Sequence, residues 1–201
     1  HVVLGFGLLL LGTGCSMTCD TSESPVPVVL AIHGGAGTLL REDMTPDKEA
    51  AYRAALEEAL RAGHAVISKG GSAMDAVTAT IRPMEESALF NAGKGAVFTW
   101  ERTNELDSSI MDGSDLSAGA VAGINGTKNP ILLARAVKDQ SPHVMLSGEG
   151  ANQFSREQGL EQVPPEYYAT PYRLDQIDKL LSKEVSAADI DYKFGTVGAV
   201  A

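Results

Sequence analysis

A glycine–threonine pair near the end of the sequence has the chemistry of a latent nucleophile. Gly195 and Thr196 separate a polar, charged segment from the apolar run Val197–Ala201. Glycine tolerates strained backbone conformations, so the threonine hydroxyl can approach the carbonyl that precedes it. If that peptide bond were cut, Thr196 would carry its hydroxyl beside a free α-amine, whose pKa near ~8 suits a general base. The pair also fits a plain alternative, an ordinary core strand with Thr196 at its first position.

Other chemically capable residues fit known motifs poorly. His33 begins the segment HGGAG after an apolar run, but the spacing matches neither a dinucleotide-binding loop nor a P-loop. An esterase oxyanion loop would need a G-x-S-x-G elbow, which the sequence lacks. We therefore interpret His33 as a structural hydrogen-bonding residue. Between Asp20 and Ala201 there is no cysteine, which excludes a cysteine nucleophile, a thiolate zinc site and a disulfide within that part.

The segment Met84–Gly95 is irregular and rich in small residues, with Asn91 between Phe90 and Ala92. A loop of this kind must satisfy its own carbonyl groups, and a bound cation is one way to do so. The alternative is a surface loop in which the Asn91 side chain bonds to its own backbone. Both interpretations remain open at this point.

Hydrophobic patterning predicts one globular domain with helices layered over sheets. A buried strand is expected at Val26–Ile32, a helix from Thr45-Pro46 to Gly70, and a second helix from Ser72 to Pro83. An antiparallel meander is expected next, with a hairpin turn at Asn125-Gly126. Its strands are 96–100, 105–111 and 117–124. Later helices are expected from Asn129 to Lys138, over 148–158 and over 173–182, with a short apolar segment at 144–146.

The composition and the first residues suggest an exported protein. The net charge is −10 and no basic cluster occurs, so a nucleic-acid partner is not expected. Residues 1–19 have the apolar core and cleavage region of an export signal, and we expect that the sequence begins inside this signal. Residues 20–27 are predicted to be a tether. Gly14-Cys15 resembles the end of a lipobox, but Gly12 stands where leucine is preferred, so Cys15 is a candidate for lipidation. The predicted location is periplasmic or extracellular.

Eight strings occur in one order along residues 28–201. They are AIHGGAG, GGSAMDAV, LFNAGKGAVFT, ELDSSIMDG, AGAVAG, KNPILLARAV, SPHVMLSGEGA and GTVGAVA. Together they resemble the α-subunit of the plant-type L-asparaginase / isoaspartyl peptidase family. The resemblance implies an α+β fold, the αββα sandwich of N-terminal nucleophile hydrolases, which is incomplete here because the β-subunit is missing. It also implies a precursor that cuts itself and then hydrolyses L-asparagine and β-aspartyl dipeptides.

The resemblance also implies roles for individual residues. The cut would fall between Gly195 and Thr196, which divides the chain into an α-subunit (28–195) and the start of a β-subunit (196–201). Thr196 would be the nucleophile, and Asn91 would hold it. No cofactor is required by this resemblance, but a structural sodium ion would be bound by the main-chain carbonyls of Met84, Glu85, Ser87, Phe90, Ala92 and Lys94. The expected partners are the β-subunit and a second copy of the αβ pair.

Some positions depart from the family pattern. Lys94 stands where the family more often has a small or apolar residue, although only its carbonyl is needed for sodium. The linker from Pro171 to Gly195 is short. Two alternatives follow, a glycosylasparaginase-like amidase and an exported binding module that has lost catalysis. The strings FNAG, IMDG and GTVGAVA favour the plant-type family over the first alternative. A β-subunit without the Arg and Asp that bind the substrate would indicate the second.

Overall fold

The structure is a computed structural model that describes residues 28–35, 44–182 and 195–201. Its strands form two sheets. In the first sheet, β1 (Ala31–His33) and β5 (Gly198–Val200) are antiparallel. The second sheet has the strand order β2-β3-β4, and its strands are Leu106–Met111 (β2), Ala118–Ile124 (β3) and Met145–Ser147 (β4). It is mixed, since β2 and β3 are antiparallel whereas β3 and β4 are parallel.

The described residues include five α-helices and two short 3-10 turns. Helices α1 (Pro46–Ile67) and α2 (Ala73–Glu85) lie against each other and contact the first sheet, whereas α3 (Pro130–Gln140) and α4 (Gly148–Glu157) contact the second sheet. This combination of helices with mixed sheets confirms the predicted α+β class. The fifth described helix is Pro171–Ser182 (α5), and the 3-10 turns are Gly93–Gly95 and Pro165–Tyr167.

The first two helices begin where their sequences predict. The side chain of Thr45 accepts a hydrogen bond from the backbone N–H of Lys48, and Pro46 occupies the first turn of α1. Likewise, Ser72 accepts from the backbone N–H of Asp75 at the start of α2. These caps satisfy N–H groups that have no partner inside the helix.

One face of the second sheet packs against α3, and the other face lines a cavity. Gly119 and Val121 are buried in β3, and Ala134 of α3 lies directly against Gly119. Because side chains alternate along a strand, Ala118 and Ala120 lie on the opposite face. These two alanines line a cavity of about 1200 Å³ that is also bordered by α2 and β5. The core therefore includes buried residues of β2, β3 and α3, together with Met74, Ile81 and Met84 of α2.

The predicted strand over 96–100 is wrong. A 3-10 turn ends at Gly95, and the following carbonyls of Ala96 and Val97 both accept hydrogen bonds from the side chain of Asn104. A tight turn then closes between Thr99 and Thr103. This segment is apolar enough for a strand, but side chains and a turn satisfy its polar groups instead of a neighbouring strand.

The hairpin predicted at Asn125-Gly126 is also wrong. Residues after β3 lead into helix α3, and the backbone N–H of Asn125 bonds to the side chain of Asn152 in α4. The third strand of the second sheet is β4, a short strand that pairs in parallel with β3. The predicted antiparallel meander is therefore limited to β2 and β3.

Three predicted element bounds also differ. Helix α2 continues through Pro83 to Glu85, because a proline near a helix end removes a single N–H while the last turn still forms. The described part of the predicted first strand is regular only over Ala31–His33. Strand β5 begins at Gly198, so Thr196 precedes the strand.

Several predictions lie outside the described residues. They concern the export signal (1–19), the tether (20–27), the lipidation of Cys15 and most of the linker before Gly195. No helix within the described ranges combines the length and apolarity that crossing a membrane requires.

Candidate active site

The pairing of β5 with β1 places the predicted cleavage peptide beside the glycine turn that follows β1. Gly35 has a φ of 128°, and a Cβ atom at this position would lie 3.5 Å from the carbonyl oxygen of Gly195. Only glycine adopts such a φ readily, so the turn can lie close to the peptide. Thr196 follows as an exposed residue at the edge of the cavity.

His33 has a packing role in this arrangement. A Cβ atom at Gly198, its partner across the sheet, would lie 2.2 Å from Nε2 of His33. The imidazole therefore covers the backbone of β5 at a position where only glycine fits. This contact agrees with the structural interpretation of His33.

Asn91 lines the same cavity as Thr196. Its Oδ1 accepts a hydrogen bond from the backbone N–H of Val97 at 2.9 Å, which fixes the side chain within its own loop. The Asn91 amide nitrogen makes no hydrogen bond to any residue in the described ranges, so its donors remain available to a group in the cavity. The structure thus brings both predicted catalytic residues to one cavity.

The predicted cation loop holds its carbonyls around a glycine turn. A Cβ atom at Gly93 would lie 2.2 Å from the oxygen of Glu85, and one at Gly95 would lie 2.1 Å from the oxygen of Phe90. Among the described residues, neither oxygen accepts a hydrogen bond. By contrast, the Ala92 carbonyl accepts a bond from the N–H of Gly95.

This loop fits an alkali cation better than a carboxylate-bound metal. A glycine-lined cradle with unused carbonyl oxygens suits a hard cation. Within the described ranges, no group of three or more His, Cys, Asp or Glu side chains could hold a metal ion. The side chain of Lys94, the position that departs from the family pattern, points away to the ring of Tyr167, with Nζ 5.7 Å from the ring centre. Its ammonium is therefore held by a neighbouring aromatic ring.

Three side-chain contacts that no sequence pattern predicted join this loop to other elements. The hydroxyl of Tyr52 in α1 donates to the Leu89 carbonyl at 3.0 Å, and Nε of Arg173 in α5 donates to the Gly95 carbonyl at 2.7 Å. Oε1 of Glu85 accepts from the backbone N–H of Ile131 at 2.8 Å, so Glu85 caps α3 from a distant element. Contacts across such sequence separations leave no periodic signal in the chain.

Glu85 is a buried carboxyl group. Only 3% of the residue is exposed, and burial raises the pKa of its carboxyl to about 8, although the bond from Ile131 acts in the opposite direction. Its Oε2 and the amide nitrogen of Asn129 are buried and form no hydrogen bond of good geometry among the described residues, but the Asn129 amide still acts to lower the pKa of Glu85. The resemblance assigned only the main-chain oxygen of Glu85, so this side-chain role is an addition.

The cavity is lined by the predicted nucleophile Thr196 and by the amide of Asn91, but its described lining carries no positive charge. Its described lining includes no Lys, Arg or His side chain. Its apolar wall is formed by Met74, Val77 and Ile81 of α2. These residues could position a small amide next to Thr196, but a substrate carboxylate would need a cation from elsewhere.

Comparisons with known proteins relate the sequence of this chain to a family. Residues 26–201 match the model of a family described as Asparaginase. The chain is 46% identical over 182 residues to the isoaspartyl peptidase of Escherichia coli, covering 86% of this chain and 56% of that protein. It is 38% identical over 177 residues to the isoaspartyl peptidase/L-asparaginase of Mus musculus, covering 88% of this chain and 53% of that protein. The chain thus spans about half the length of the curated relatives it matches.

Proposed function

Because this chain belongs to the asparaginase family, we propose that it is the α-part of a precursor that cuts itself at Gly195–Thr196 and then hydrolyses amides with Thr196. The proposed substrates are L-asparagine and β-aspartyl dipeptides. The observation that carries the proposal is that Thr196 and Asn91 line one cavity while the Gly35 turn lies against the carbonyl of Gly195. Similar proteins are named isoaspartyl peptidase and isoaspartyl peptidase/L-asparaginase, which supports the substrate class.

Self-cleavage would proceed through an ester. The hydroxyl of Thr196 attacks the Gly195 carbonyl carbon, its proton passes to the departing nitrogen, and the peptide C–N bond breaks. Gly195 is then esterified to Oγ of Thr196, whose α-amine is free. Water hydrolyses this ester, leaving a carboxylate on Gly195 and the hydroxyl and amine on Thr196.

Hydrolysis of the substrate would use the same two groups. The free amine accepts the proton of the Thr196 hydroxyl as the oxygen attacks the side-chain carbonyl carbon of asparagine. Ammonia leaves, or the amino group of the second residue leaves from a β-aspartyl dipeptide. Water then releases aspartate from the ester. The amide nitrogen of Asn91 is available to hold the reacting groups.

The remainder of the precursor would complete the site. The described cavity lining holds no cation for the substrate carboxylate, and the curated relatives are about twice as long as this chain. We therefore assign the carboxylate grip and the oxyanion donors to a β-part that follows Thr196, and an (αβ)₂ dimer to the mature protein. The carbonyls of the loop from Met84 to Lys94 would hold a structural sodium ion. The apolar first residues and Cys15 support export, with lipidation as one route of anchoring.

The test uses the complete precursor. Purified wild-type protein is expected to give two chains, the second beginning at Thr196 by mass spectrometry, and to release ammonia from asparagine. Thr196→Ala removes the attacking hydroxyl, so the precursor is expected to stay intact. Thr196→Ser keeps a hydroxyl and serves as the matched control that still cleaves. Cleavage at the same bond in Thr196→Ala would overturn self-processing by this residue, and cleavage without hydrolysis would favour a binding module.

A further inference from the structure

The segment that holds Asn91 depends on side chains from other elements. Asn91 is fixed by the backbone N–H of Val97, and residues 95–97 lie outside the strands of both sheets. Asn104 donates to the carbonyls of Ala96 and Val97, both at 3.0 Å. The preceding carbonyl, that of Gly95, accepts from Nε of Arg173 at 2.7 Å. Three successive carbonyls are thus held by two buried side chains.

Arg173 is built into the core at the start of α5. Only 8% of the residue is exposed, although arginine is seldom buried to this extent. Its Nη1 donates to Gln176 at 2.8 Å, and its guanidinium lies 5.4 Å from the ring centre of Tyr172. Burial lowers the pKa of Arg173, but an arginine begins so far above neutrality that it stays charged. The bond to Gly95 is therefore a charge-assisted one, which is stronger than a neutral pair.

The bond from Arg173 joins helix α5 to the loop that carries Asn91. Helix α5 precedes the cleavage peptide in the chain, whereas Gly95 ends the loop that carries Asn91. We infer that Arg173 is a positioning residue, which holds the Gly95 carbonyl and so fixes the segment that orients Asn91 toward Thr196. This inference rests on the proposed function for its catalytic consequence.

Two substitutions separate the hydrogen bond from the packing of the side chain. Arg173→Met keeps an unbranched apolar stem but removes every donor, whereas Arg173→Lys keeps a charged donor. The matched control is Arg102→Met. Arg102 forms an ion pair with Asp178, which lies on α5 as Arg173 does. Unlike Arg173, Arg102 is exposed at the surface, and it does not line the cavity. All three are made in the complete precursor.

The first measurement is amide hydrogen exchange, performed in a Thr196→Ala background so that every protein stays uncut. Arg173→Met is expected to accelerate exchange at Val97 by about 10-fold, because its segment loses an anchor. Arg173→Lys is expected to restore part of the protection, and Arg102→Met is expected to match the unaltered protein.

The second measurement uses protein that retains Thr196 and can therefore cleave itself. Arg173→Met is expected to slow self-cleavage and lower kcat by about 10-fold or more, with little change in KM.

The outcomes separate the two proposals. Unchanged exchange at Val97 in Arg173→Met would overturn the inference, as would a uniform acceleration across the whole protein in Arg173→Met. Normal cleavage and normal kcat in Arg173→Met would overturn it as well, while leaving the proposed function intact. If the wild-type precursor neither cuts itself nor hydrolyses substrate, the proposed function fails. The exchange measurement at Val97 still decides whether Arg173 fixes this segment.

Discussion

The oxygen and the nitrogen of the Asn91 side-chain amide have different surroundings. The oxygen accepts a hydrogen bond from the N–H of Val97, whereas the nitrogen has no partner among the described residues, and the residue lines the cavity. An aspartate has the same shape and can still accept the bond from Val97, but it has no donor and carries a charge. Substitutions at this position can therefore separate anchoring of the loop from chemistry in the cavity.

We expect Asn91→Asp to lose activity while the fold is maintained. Its negative charge would raise the pKa of the freed Thr196 amine, so a larger fraction would be protonated and unable to act as base. The expected result is a kcat about 10- to 100-fold lower at neutral pH, with the activity profile displaced to higher pH. The free energy of unfolding should change by about 1 kcal/mol or less. Steady-state kinetics against pH and urea unfolding measure both, and unchanged turnover would assign Asn91 to the scaffold alone.

The buried carboxyl of Glu85 predicts a pH dependence of stability. Its pKa is about 8 in the folded protein and near 4.5 when exposed. Between these values the folded protein binds more protons than the unfolded chain, so the free energy of unfolding should fall as pH rises, by up to about 1.4 kcal/mol per pH unit. Below pH ~4.5 the carboxyl is protonated in both states, and its contribution to the slope disappears.

Glu85→Gln should remove that slope, because the glutamine amide stays neutral and can still accept the bond from Ile131. The measurement is urea unfolding at several pH values between 5 and 8, with Thr196→Ala present to prevent cleavage. Glu86→Gln is the control, since the neighbouring side chain is partly exposed. A slope in Glu85→Gln equal to that of the unaltered protein would show that Glu85 does not titrate in this range.

At the scale of elements, features set by neighbouring residues were predicted from the sequence, whereas contacts between distant residues were not. Thr45 and Ser72 begin helices as predicted, because a cap and its helix lie within a few residues. Residues 96–100 were predicted wrongly, because the side chain of Asn104 replaces a neighbouring strand. The loop around Asn91 was found by its motif, but its anchor Arg173 lies 78 positions beyond Gly95, so no local signal indicated this contact.

The contact between β3 and α3 gives a prediction at this scale. A Cβ atom at Gly119 would lie 2.1 Å from the carbonyl oxygen of Ala134 and 2.6 Å from the backbone nitrogen of Lys138. Because both are backbone atoms of a helix, Gly119→Ala must displace α3 from the sheet. We expect it to lower the free energy of unfolding by about 1–3 kcal/mol.

Gly150→Ala is the matched control. Gly150 lies in α4, and apart from its chain neighbours and the backbone of its own helix, no described atom lies within 4 Å of the position that an alanine methyl group would occupy there. Alanine should therefore raise helix stability by about 0.5–1 kcal/mol. Both variants are compared by urea unfolding of the uncut precursor. Equal stabilities would show that the contact between β3 and α3 is looser than the structure indicates.

At the scale of the whole molecule, the cavity leaves the described layers open on one side. Met74, Val77 and Ile81 of α2 line it together with residues of β3 and β5. The first sheet has two described strands, which is marginal for a sheet without further support. In the second sheet, the described strands β2 and β4 each have one neighbour, so each has an unpaired edge. The remainder of the proposed precursor would have to cover these surfaces.

We therefore expect residues 20–201, produced alone, to self-associate and to unfold without a cooperative transition. The uncovered apolar wall and strand edges would recruit other copies of the chain. The protein should also release no ammonia from asparagine and no product from β-aspartyl dipeptides, because the amine of Thr196 is still bound to Gly195 and no base is available. Size-exclusion chromatography, thermal unfolding and an ammonia assay test these points, with the complete precursor as control. A soluble monomer of 20–201 that unfolds cooperatively and hydrolyses β-aspartyl dipeptides would show that the described layers suffice, and that catalysis needs no second part.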